Sequence, residues 1–85
     1  MSRLEKAKER LRAIPKDYTY TEARALLNQL GFEESNKGKT SGSRVKFFRP
    51  SDEKIILLHK PHPSDVMIYK SVQGLAKFLK NIGDL

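Results

Sequence analysis

Residues 36–63 read NKGKTSGSRVKFFRPSDEKIILLHKPHP, and the fold turns on how this stretch is read. Asn36 to Gly42 is rich in glycine, serine, threonine and lysine, a composition that predicts a loop. Arg44–Arg49 reads as a strand: Val45 and Phe47 face one way, Lys46 and Phe48 the other. Pro50-Ser-Asp-Glu53 is a turn. Lys54–His59 is a second strand, and its unbroken run from Ile55 to Leu58 predicts a central strand covered on at least one face. Pro61 and Pro63 lack the donor that a ladder needs, so the strand must end before them, with His62 held between two rigid residues. Lys37, Lys39, Arg44, Lys46 and Arg49 fall between Asn36 and Pro50 with no acid among them. Both histidines of the chain, His59 and His62, lie at the exit of the second strand. One hairpin thus gathers cations that can hold phosphate and imidazoles that can move protons.

Working outward, the flanks read as supporting helices. In residues 2–14, Leu4, Ala7, Leu11 and Ile14 recur at helical spacing, and Pro15 stops the helix. The stripe is narrow, which predicts a helix that docks weakly or frays. Thr19 and Glu22 fit a capping box, and Ala23, Leu26, Leu27 and Leu30 form one face of the helix that follows. Gly31 is placed to close that helix in a left-handed conformation. Phe32 is a core anchor, and residues 32–34 begin a short first strand. Downstream, Ser64 or Asp65 starts a turn. Residues 69–82 then carry a stripe of Val72, Leu75, Ala76, Leu79 and Ile82, with Gly83 as the stop. The order is helix, helix, short strand, strand, strand, helix. An α+β sheet with its helices on one face is the simplest architecture for it.

Eighty-five residues make a single domain, 1–85, with one small core. Residues 1–14 are expected to be an accessory N-terminal helix. No apolar run approaches the ~18 residues of a membrane span. The N-terminus has no apolar stretch after its basic residues and does not read as a secretory signal. The chain has no cysteine, which removes disulfides, thiolate chemistry and cysteine zinc sites and fits a cytoplasmic location. The net charge is +7, from 17 Lys and Arg against 10 Asp and Glu. That balance favours a polyanionic partner, with simple solubility as the bland alternative.

The chemistry on offer is limited. Two histidines three residues apart supply at most two metal ligands, fewer than zinc sites use. Ser43 is not on a nucleophile elbow. The loop at Gly38–Gly42 lacks P-loop spacing and does not lead into a helix. Metal-free RNA cleavage asks for less: a base for the 2′-hydroxyl proton, an acid for the leaving oxygen, and cations for the phosphorane charge. Histidine, with an unperturbed pKa of about 6.5, can serve either step. Arg44 can hold a phosphate bidentately and Lys60 can add charge. A structural histidine that hydrogen-bonds the loop is the competing reading for either imidazole, and RNA binding without catalysis competes with cleavage.

The order of these motifs resembles the HicA-type toxins of toxin–antitoxin modules. The resemblance is carried by TYTEARALLNQLGF from Thr19 to Phe32, by GKTSGSRVKFF from Gly38 to Phe48, and by ILLHKPHP from Ile56 to Pro63. It covers roughly residues 16–83. It implies a fold like a double-stranded-RNA-binding domain, a three-stranded antiparallel sheet with helices on one face, here with an extra N-terminal helix. It also implies an mRNA interferase, a ribonuclease that arrests translation when free and is silenced by a HicB-type antitoxin. Gly42 and Ser43 match the family's Gly-Ser-His, whose histidine is taken as catalytic, and Arg44 stands in that histidine's place. His62, with Val72 ten residues on, matches the family's second histidine, and His59 is additional. The resemblance therefore implies His62 and His59 as catalytic candidates. Arg44, Ser43, Lys39, Lys46 and Lys60 are the candidate RNA-phosphate contacts, with no metal and no cofactor.

Overall fold

The computed structural model describes residues 2–35 and 44–85. Its elements are α1 (Arg3–Arg12), α2 (Tyr20–Gln29), β1 (Glu33–Ser35), β2 (Arg44–Arg49), β3 (Lys54–His59) and α3 (Tyr69–Asn81). The strands form one antiparallel sheet in the order β1-β2-β3. The architecture is α+β, three helices with a three-stranded sheet, and the expected element order holds.

Alternation explains the layers. Val45, Phe47 and Leu58 are buried, with Phe47 fully enclosed. They meet Leu26 and Leu27 of α2 and Val72, Leu75, Ala76 and Leu79 of α3 in a single core. The intervening residues Arg44, Lys46, Ile55, Leu57 and His59 are exposed on the other face, so the helices cover one side of the sheet only. The capping box is present: the Thr19 hydroxyl accepts from the Glu22 N–H, and the Glu22 carboxylate accepts from the Thr19 N–H at 2.9 Å. Gly31 sits at φ +96° where α2 ends, and Phe32 turns into the core beside Phe78.

Two expectations are corrected. The run Ile55–Leu58 predicted a central strand, yet β3 is an edge strand and β2 is central. Ile56 and Leu58 face the core side, while Ile55 and Leu57 are 47% and 51% exposed. A continuous apolar run is the same whether a strand's second face is covered or bare, so composition alone could not place it. The first helix was expected to dock weakly. Instead Leu11 is fully buried in the common core, with Leu4 and Ala7 packed against it. The Arg10 guanidinium bonds the Glu22 carboxylate and also reaches Asp17 Oδ1 at 3.2 Å. One deeply inserted leucine and one ion-pair cluster hold α1 where its narrow stripe gave little sign of attachment.

Candidate nucleic-acid interface

The β2–β3 register brings two of the sequence-derived candidates together. Arg44 opens β2, His59 closes β3, and they are direct partners across the ladder. Both lie on the bare face, because their strand neighbours Val45 and Leu58 point into the core. Side chains opposed in this way have Cβ atoms about 4.5–5.5 Å apart. A guanidinium and an imidazole therefore share one corner of the sheet. Lys46 lies on the next position inward, opposite Leu57.

His62 is not on a strand. It is exposed in the connection from β3 to α3, with Pro61 before it and a cis bond to Pro63 after it. The connection is anchored just beyond. The Ser64 hydroxyl accepts from the Val66 N–H at 3.1 Å. The Asp65 carbonyl accepts from the Tyr20 N–H at 2.8 Å, and its carboxylate accepts from the Thr21 N–H at 3.1 Å. A carboxylate at the first turn of a helix also meets the positive end of the helix dipole. The Met67 N–H donates to the Tyr18 carbonyl at 2.8 Å. His62 thus sits on a short path from the Arg44–His59 corner to the N-terminus of α2.

Lys60 extends the same region toward α2. Its ammonium lies 5.9 Å from the centre of the Tyr20 ring, a cation–π distance. The Tyr20 hydroxyl donates to Glu34 at 2.7 Å, and Glu34 in turn pairs with Arg24 at 3.2 Å. Burial, and then the hydrogen bond to the Glu34 carboxylate, push the Tyr20 phenol above its ordinary range, so it stays protonated.

Ser43 and Lys39, with Lys37 and the rest of the glycine-containing loop, lie outside the described residues. Arg49 is removed from the pool of phosphate-holding cations. Its guanidinium donates to both oxygens of Asp52 at 2.9 and 2.7 Å, to Asp84 at 2.6 Å and to the Leu30 carbonyl at 3.1 Å. It also lies 4.7 Å over the Phe32 ring. A side chain so fully engaged is a clamp between the hairpin turn, the end of α2 and the C-terminus.

The sequence reading missed Tyr20, Asp65 and Glu34 as members of this region. The Asp65–Thr21 contact spans 44 residues, so no local spacing could reveal it. Comparison of the chain with protein-family models, with curated proteins and with solved structures returned no match.

Proposed function

We propose that this protein is a HicA-like toxin, a metal-independent endoribonuclease that acts on mRNA in the cytoplasm and is silenced by a HicB-type antitoxin. The observation that carries the reading is the Arg44–His59 pair on the bare sheet face, followed at once by His62. Support comes also from the order of motifs and from a three-stranded antiparallel sheet covered on one face by helices, which is compatible with a double-stranded-RNA-binding-domain-like fold. The excess of positive charge is what a polyanionic substrate requires. Among the described residues, no helix is long and apolar enough to cross a membrane.

In this mechanism an imidazole, of His62 or His59, takes the proton from a ribose 2′-hydroxyl. The 2′-oxygen then attacks the adjacent phosphorus, and the bond to the 5′-oxygen breaks as that oxygen is protonated. Arg44 holds the phosphate through charge-assisted hydrogen bonds, with Lys46 and Lys60 adding positive charge. The position that the HicA resemblance assigns to a histidine is filled here by Arg44, which supplies charge and cannot serve as a base.

The test is a long mRNA incubated with the protein in EDTA, beside His59→Ala, His62→Ala and the double variant. Loss of a general acid or base slows cleavage by roughly 10²–10⁴-fold. Cleavage that persists in the double variant overturns the imidazole mechanism. The Arg44 substitution favours a second reading, RNA binding without cleavage. Full-length RNA that stays bound to the parent protein establishes it.

A further inference from the structure

The edge of the sheet opposite β1 is bare. Among the described residues β3 pairs with β2 alone, so beyond Lys54, whose N–H donates to Asp52 Oδ1 at 3.4 Å, alternate residues of β3 turn N–H and C=O groups to an uncovered side. Between this edge and α3 runs a groove of about 300 Å³, lined on one side by residues 56–59 of β3, His59 included, and on the other by Ser71, Gly74, Leu75 and Phe78.

Gly74 lies inside α3, which runs unbroken from Tyr69 to Asn81. A glycine there destabilises the helix relative to alanine. Nothing in the fold asks for it. Its backbone has no positive φ, and a Cβ added at Gly74 meets no atom within 4 Å. The space over Gly74 is therefore clearance that the protein does not itself fill.

The two elements that bound the groove carry one sign of charge. β3 and α3 hold Lys54, Lys70, Lys77 and Lys80 and no carboxylate. Lys70 and Lys77 are the i−4 and i+3 neighbours of Gly74, on its stretch of the helix surface. An edge strand with free backbone groups, an apolar floor and a basic rim fits one kind of occupant.

We propose that this groove accepts an extended, acidic segment of a partner protein, which adds to the sheet as a strand beside β3 and packs over Gly74. Backbone pairing supplies the affinity, and alternate side chains enter the groove or meet the lysines. A second copy of this edge would bring further positive charge to a strand and a helix that already hold four lysines and no carboxylate. A nucleic acid could satisfy the lysines but not the row of backbone donors and acceptors. The inference does not rest on the ribonuclease reading: it concerns the backbone edge of β3, although His59, at the end of that strand, also lines the groove.

The test uses the whole chain, labelled for NMR, and a synthetic peptide long enough to span β3 in which glutamate alternates with valine. Binding is expected to shift β3 and α3 amides and to slow hydrogen exchange at the outward-pointing amides of β3. Methylating alternate peptide nitrogens keeps the charge and removes the ladder bonds, and it should abolish binding. Gly74→Leu, whose side chain enters open space, should weaken binding by about tenfold or more with an unchanged or raised melting temperature. Lys70→Ala with Lys77→Ala should weaken it without touching the groove floor. The proposal is overturned if the peptide does not bind, or if the methylated peptide binds equally well. It is likewise overturned if an oligoribonucleotide, and not the peptide, shifts these amides, or if sedimentation shows the chain pairing with itself through β3.

Discussion

Arg49 shows how a residue's type and its role can part. In a run of cations it looks like one more phosphate ligand, yet its guanidinium is spent on Asp52, Asp84 and the Leu30 carbonyl. The neighbouring Gly31 matters to it as well: a Cβ there would come within 3.3 Å of Arg49 Cδ, at a φ of +96° that side chains rarely adopt. Charge-assisted bonds of this sort contribute about 1.5–3 kcal/mol each when fully formed, and exposure of Asp52 lowers the total. Arg49→Ala is expected to destabilise the fold by about 2–3 kcal/mol in urea denaturation. Arg44→Ala, at the other end of the same strand, is at an exposed position and should cost less than Arg49→Ala. Equal losses in both variants would contradict this division of labour.

At the scale of elements, α1 depends on the Arg10–Glu22 contact as well as on Leu11. Hydrogen bonding from Arg10 is the main cause holding the Glu22 carboxyl below a glutamate's ordinary value of 4.5, with the Thr19 N–H also contributing against burial. A group whose value is lowered by folding contributes stability that is fully present above its unfolded value. That stability is lost as pH falls through the lower folded value. Acidification below about pH 4.5 should therefore weaken the α1–α2 contact, and the capping box with it. Glu22→Gln should lower the melting temperature at pH 7 and flatten its fall between pH 5 and pH 3, both read relative to the parent. Parallel acid profiles for parent and variant would show that other carboxylates govern the transition. Deleting residues 2–13 removes Leu11 from the core, so a truncated chain is expected to melt earlier. A dispensable accessory helix would leave the melting curve unchanged.

For the whole molecule, charge and topology act together. The net charge of +7 is spread over helices and sheet alike, and Arg44 and Lys46 place part of its positive charge on the bare face. If RNA lies on that face, its affinity falls with salt, with a logarithmic slope of about −0.7 per phosphate contacted on a single strand. Arg44→Ala and Lys46→Ala should each reduce the slope by about 0.7. Lys54→Ala, at the far end of β3, should leave it unchanged. Equal effects from all three would point to diffuse attraction and not to a defined interface.

Much of the fold was legible because local physics repeats along the chain. The Thr19–Glu22 box, the left-handed Gly31, the alternation of Val45 and Phe47 and the stripe of α3 each depend on residues within one or two turns of one another. Those signals determined the element order and the buried faces of β2 and α3. The candidate site was legible in its residue types, and the hairpin that pairs Arg44 with His59 follows from strands of equal length joined by a turn. Tertiary structure alone decided the rest. That β3 is an edge, that Leu11 reaches the core, that Asp65 ties the His62 segment to α2, and that Arg49 is already engaged all depend on contacts between distant residues. The physical reason is the same in each case. Periodicity reports which side of an element is apolar, whereas only packing determines which neighbour covers that side and which side is left bare.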